Sequence, residues 1–200
     1  MTCMGDAGFS WKDPRFTYAD VLTGARLLLL PYLLYALAAS LTGLAAATLA
    51  AMIVTDLIDG RIARRTGQMR PFGAMLDSTV DFVVIHTLFT AFFAIGVLPW
   101  WKWLVIAVMG CVIAATQILS IQKGQALSFE PVRFGKLVGQ IQFAYLPLLT
   151  VRTFWVKTGW IVTADTVLFV VLAAAIAASV GDHAGIVRRL LTAGRQEAAR

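Results

Sequence analysis

Six apolar runs, each near the ~20 residues that cross a bilayer as a helix, leave little of this 200-residue chain for anything else. A hydrocarbon interior offers the backbone no hydrogen-bond partner, so each run must satisfy its own N–H and C=O groups, as a helix does. The expected fold is all-α: a polytopic membrane protein with six transmembrane helices in a single domain, residues 1–200. The spans are expected at Leu22–Ala39, Leu44–Arg64, Gly73–Val97, Trp101–Ile121, Phe134–Phe154 and Ile161–Val180. An N-terminal segment, 1–21, precedes them, with a short interfacial helix over Phe9–Ala19, and a basic tail, 181–200, follows. The chain is 59% hydrophobic and 14% charged, against roughly 25% charged in soluble domains. Small residues, as in "LTGLAAATLAAM", let helices approach closely.

Alternate loops divide the basic residues unequally. Lys102, Arg152 and Lys157 fall on one side, and the other 14 of the 17 lysines and arginines on the opposite side. Positive residues stay inside, so both termini are expected in the cytoplasm of a multi-pass cell (inner) membrane protein. The net charge of +6 suits anionic headgroups. The basic residues follow the loops, so no nucleic acid is expected as a partner. Pro99 with Trp100, Trp101 and Trp103 reads as an interfacial belt. The stretch ahead of the first apolar run is too long for an ordinary cleaved signal peptide. Cys3 and Cys111 make neither a disulfide framework nor a zinc site.

Against this background the stretch "DLIDGRIARRTGQMRPFGAMLDSTVD" is anomalous. Asp56 and Asp59, three apart, share one face of the second helix, and Asp77 and Asp81, four apart, share one face of the third. The short linker Thr66–Phe72 is expected to make these helices antiparallel neighbours, with both pairs aimed at one volume. Four carboxylates repel in a low dielectric and need cations. Hard oxygen donors suit Mg²⁺, Mn²⁺ or Ca²⁺ rather than zinc, and two divalent ions can clamp a displacement at phosphorus. Gly60 costs a helix about 1 kcal/mol relative to Ala, which a bulky ligand lying against the backbone would explain. Gly73 could serve likewise, and Arg64, one turn beyond Gly60, could hold a phosphate oxygen. The competing structural reading makes single aspartates helix–helix contacts and Arg61, Arg64 and Arg65 snorkelling anchors. Four aspartates in two helical pairs favour a functional site.

At these residues the chain resembles the CDP-alcohol phosphotransferase (CDP-alcohol phosphatidyltransferase) family, whose signature is D-x2-D-G-x2-A-R-x8-G-x3-D-x3-D. Asp56, Asp59, Gly60, Ala63, Arg64, Gly73, Asp77 and Asp81 fill it without departure. "ADVLTGARLLLLP" is similar to the family's first-helix pattern, keeping Leu22, Thr23, Arg26 and Pro31 but with Ala19 and Asp20 for the usual Pro-Asn. "GKLVGQIQ" is similar to the fifth-helix pattern, with Gly139 where Thr is usual. The resemblance implies the family fold and transfer of a phosphatidyl group from CDP-diacylglycerol to an alcohol, releasing CMP. It implies that Asp56, Asp59, Asp77 and Asp81 bind two Mg²⁺ or Mn²⁺ ions, with Asp81 also the general base. Thr23, Gly60, Ala63, Arg64 and Gly73 would meet the CDP-lipid, and the enzyme would be a homodimer.

The acceptor is open. Lys123, Arg133 and Lys136 could form an anion pocket for a phosphorylated polyol, or could be topology anchors. "QKGQALSFEPVRFGKL" resembles phosphatidylglycerophosphate synthases, whereas "DGRIARRTGQ" and "LDSTVD" are nearer phosphatidylinositol-phosphate synthases. Glycerol 3-phosphate is slightly favoured over inositol phosphate. A cation transporter, with the aspartates as its ion path, is the reading from another class. His86 is expected to pack rather than to assist proton transfer, and Glu130 and Asp182 to be solvated at loops.

Overall fold

A computed structural model describes residues 18–66, 71–122, 133–154 and 159–197. They form six helices: α1 (Tyr18–Ala38), α2 (Thr42–Thr66), α3 (Pro71–Ala94), α4 (Trp100–Gln122), α5 (Arg133–Phe154) and α6 (Gly159–Glu197). Among the described residues there is no strand. Each expected span coincides with one helix to within a few residues, except that α6 continues as helix from Val180 to Glu197. The expected interfacial helix over Phe9–Ala19 lies almost wholly outside the described residues. Leu76–Ala94 and Gly159–Gly185 are long and apolar enough to cross a membrane by length and composition. Thr23–Ala38, Thr42–Asp56 and Trp100–Thr116 are shorter apolar stretches. Two of these hold polar residues, Arg26 and Asp56, that belong to the site below.

Two tight turns fix the reversals between consecutive helices. After α1, Leu41 N–H donates to Ala36 C=O and Ser40 N–H to Leu37 C=O, with Ser40 at φ 55°. After α3, Val97 N–H donates to Phe92 C=O and Gly96 N–H to Phe93 C=O, with Gly96 at φ 76°. Both are Schellman endings, in which one left-handed residue lets the last carbonyls find donors. Pro71 opens α3, where its missing N–H costs nothing.

The helices close into a ring. α1 packs on α2, α2 on α5, α5 on α6, α6 on α4, α4 on α3 and α3 back on α1, while α3 and α5 also touch across the middle. Leu88, Phe89 and Phe92 of α3 and Tyr145, Leu146 and Leu149 of α5 are almost fully buried there, with the Phe89 and Tyr145 rings 5.8 Å apart. The outward faces are apolar too: Leu28 is 81% exposed, Val21 63% and Val170 60%. Helices apolar on all sides are those a lipid phase covers.

This ring corrects one expectation. Among the described residues α2 and α3 do not pack backbone against backbone; each packs on α1 instead. A short linker ties two helix ends together but does not oblige the helices to pack along their length.

Candidate metal centre

Three helix ends meet where the aspartates lie. Asp56 stands in the later turns of α2, Asp77 and Asp81 on one face of the early turns of α3, and Thr23 and Arg26 one turn apart in the early part of α1. Carboxylate oxygens of Asp56, Asp77 and Asp81 all lie within 4.8 Å of one another. Three of the four expected aspartates thus converge, and Arg26 of α1 joins them.

Arg26 is the hub. Its Nη1 donates to Asp56 Oδ1 at 2.7 Å and to Asp81 Oδ1, and its Nη2 donates to Asp77 Oδ1. Nη2 also lies 3.3 Å from Thr23 Oγ1, which in turn donates to Asp77 Oδ1 at 3.4 Å. The Arg26 side chain is 3% exposed, those of Asp56, Asp77 and Asp81 27%, 44% and 37%. The guanidinium therefore forms a buried floor, with the carboxylates rising from it toward an open side. One guanidinium against three carboxylates leaves a formal excess of two negative charges among these four side chains. A planar fork that serves several carboxylate oxygens at once is a role for Arg, not Lys.

Sequence reading placed Arg26 with the loop cations and in the first-helix pattern, but gave it no role. The available signal is that an arginine within an apolar helix needs anionic partners, and the aspartates of the 56–81 stretch are a group of anions in need of cations. Thr23, assigned to the CDP-lipid, is buried beside Asp77.

The donor set fits a divalent cation. Closely grouped, partly open carboxylates are the hard oxygen ligands that Mg²⁺, Mn²⁺ and Ca²⁺ take. Asp59, Gly60, Ala63 and Arg64 lie on the last turns of α2 and Gly73 on the first turn of α3; their side chains lie outside what the structure describes. Of the acceptor candidates, Lys136 is on α5 and exposed, Arg133 begins α5 with its side chain outside the description, and Lys123 is outside the described residues.

His86 turns away from this site. Its Nδ1 bonds Phe82 C=O at 2.8 Å, and its ring lies against Gly110 of α4, where an added Cβ would come within 2.6 Å of Nε2. Packing, as expected, accounts for it. Asp182 stands within α6 rather than at a loop; Glu130 is outside the described residues.

A sequence model described as CDP-alcohol phosphatidyltransferase matches residues 16–181 of the chain. Among curated proteins, the chain is similar to one from Mycobacterium tuberculosis named as a cardiolipin synthase, with 34% identity over 59% of this chain and 56% of the relative. It is similar to a second M. tuberculosis protein, named "Probable phosphatidylglycerophosphate synthase", with 30% identity over 53% of this chain and 54% of the relative. It is also similar to the phosphatidylinositol phosphate synthase of Corynebacterium glutamicum, with 36% identity over 56% of this chain and 49% of the relative. The matched stretch thus spans about half the length of each relative. No solved structure matches.

Proposed function

This chain belongs to the CDP-alcohol phosphatidyltransferase family, and on that premise we propose that it moves a phosphatidyl group from CDP-diacylglycerol to an alcohol and releases CMP. The observation that carries the reading is the convergence of Asp56, Asp77 and Asp81 on one partly open volume, with all three belonging to a signature otherwise complete in the sequence.

In the reaction an acceptor oxygen forms a bond to the phosphatidyl phosphorus and the bond from that phosphorus to the CMP oxygen breaks. The acceptor's hydroxyl proton must leave, and Asp81 takes it as general base. Asp56, Asp59, Asp77 and Asp81 would hold two Mg²⁺ or Mn²⁺ ions, which supply charge stabilisation at the diphosphate. Arg26 and Thr23 orient Asp77 from below, and Arg26 tethers Asp56 and Asp81 to the same floor. Gly60 and Gly73 leave room for the nucleotide, and Ala63 and Arg64 meet it on the same helix. The site lies at the cytoplasmic end of a multi-pass membrane bundle, and the enzyme works as a homodimer.

For the acceptor we favour a phosphorylated polyol, glycerol 3-phosphate before inositol phosphate. The support is the basic set Lys123, Arg133 and Lys136, which flanks the chain's fourth-to-fifth helix connection, together with two relatives whose names denote phosphorylated headgroups. The test is CMP release by purified protein given CDP-diacylglycerol, Mg²⁺ or Mn²⁺, and one acceptor at a time. Glycerol 3-phosphate, inositol phosphate and phosphatidylglycerol form the panel, the last because one relative is named as a cardiolipin synthase. Glycerol 3-phosphate is expected to give phosphatidylglycerophosphate. No CMP with any acceptor sinks the transferase reading; CMP with only phosphatidylglycerol sinks the phosphorylated acceptor.

A further inference from the structure

The end of the bundle opposite the aspartates holds a second charged cluster, contributed by α4, α5 and α6. Asp165 is 2% exposed. Its Oδ2 accepts from Lys102 Nζ at 2.7 Å and from Arg152 Nη1 at 2.7 Å, and its Oδ1 accepts from the Tyr145 hydroxyl. Lys102, counted by sequence with the loop cations, is buried at 4%. Its ammonium lies 5.0 Å from the Phe169 ring centroid and 5.5 Å from that of Trp101, within cation–π range.

The charges do not balance. Lys102 and Asp165 suffice as a neutral buried pair, with Tyr145 occupying the second carboxylate oxygen. Arg152 brings a further whole positive charge. It is also the open member: its side chain is 29% exposed, against 5% for Lys102 and 3% for Asp165. A guanidinium has five N–H donors in a fixed fork, and the bond to Asp165 leaves most of them for a second anion. Trp101 and Trp160 are exposed alongside, 47% and 66%, which places the cluster at the depth where tryptophan meets headgroups.

We infer that this corner binds the phosphodiester of a net-anionic phospholipid, received on the free edge of the Arg152 guanidinium while Asp165, itself held by Lys102, fixes the other edge. The surplus cation favours a headgroup with no positive charge of its own. The inference is independent of the transferase reading.

The test is thermal unfolding in a neutral detergent, with phosphatidylglycerol, phosphatidylcholine or inorganic phosphate titrated in. For the native chain phosphatidylglycerol is expected to raise the unfolding temperature, with phosphatidylcholine and inorganic phosphate doing much less. Arg152→Gln should need roughly tenfold or more phosphatidylglycerol for the same rise, the worth of one charge-assisted bond. Arg152→Lys, which keeps the charge but loses the fork, should fall between and keeps the test decisive if the glutamine variant does not fold. Asp77→Asn should respond like the native chain, since the aspartate site is elsewhere. Equal responses from the native and both Arg152 variants overturn the inference. So does loss of the response in Asp77→Asn alone, which puts the lipid at the aspartates. A rise with inorganic phosphate as large as with lipid reduces the ligand to a free anion and overturns the lipid assignment.

Discussion

At Arg26 one buried guanidinium meets carboxylates from two other helices. Its removal leaves three acidic groups facing one another over an apolar floor. Breaking a buried ion pair by deleting one partner costs about 3–5 kcal/mol, and partial exposure of these carboxylates places Arg26→Gln toward the low end. The unfolding temperature of that variant in detergent should fall, and added Mg²⁺ should recover part of the loss. An unchanged unfolding temperature would show that solvent screens the carboxylates without Arg26. The aspartates themselves separate by role. Asp56→Asn or Asp77→Asn should abolish metal-stimulated CMP release, and metal-stimulated turnover at near-native rates in either would refute the metal assignment. With Asp81 as the proposed base, Asp81→Asn should hold CDP-diacylglycerol nearly normally yet turn over very slowly, because that variant loses the proposed proton acceptor and keeps the other proposed ligands. The check is nucleotide-lipid affinity beside CMP release; a joint collapse makes Asp81 chiefly a ligand.

At the level of elements, the helices were legible because each apolar run is about as long as a bilayer requires, and little else of that length can satisfy its backbone there. Their neighbours were not. Linker length suggests that α2 and α3 pair, whereas each packs on α1 instead, an outcome decided by side-chain packing rather than by the linker. The two described turns make the contrast local. Both use a left-handed residue, but one is glycine and the other Ser40. A side chain in that conformation costs roughly 1–2 kcal/mol, offset in part by the extra freedom glycine loses on folding. Ser40→Gly should therefore stabilise the α1–α2 turn slightly, by under about 1 kcal/mol, and Gly96→Ala should destabilise the α3–α4 turn by about 1 kcal/mol. Thermal unfolding of the two variants side by side reads the signs; the same sign for both would contradict the shared geometry.

Across the whole molecule the two charged clusters sit at opposite ends of one ring, and the sequence disclosed them unequally. The aspartates announce themselves by helical spacing within one 26-residue stretch. Asp165 is a lone acid whose partners Lys102 and Arg152 lie 63 and 13 residues away, so no local pattern marks it, and counting cations by nearest loop hid both partners. The ring also bears on the acceptor. α5 runs in the same direction as α3, so its first turns lie at the same end as the aspartates while belonging to a different helix from the signature residues. Lys136 is exposed there, free to meet a small anionic acceptor arriving from water. If Lys136 and Arg133 hold an acceptor phosphate, neutralising either should raise the acceptor KM by on the order of tenfold to a hundredfold, the worth of a charge-assisted hydrogen bond of roughly 1.5–3 kcal/mol. The KM for CDP-diacylglycerol should hardly move, since the residues proposed to meet it lie on α1, α2 and α3. Steady-state kinetics with each substrate varied in turn gives both constants. A parallel rise in the two, or no change in either, would make the basic residues topology anchors and remove the main support for a phosphorylated acceptor.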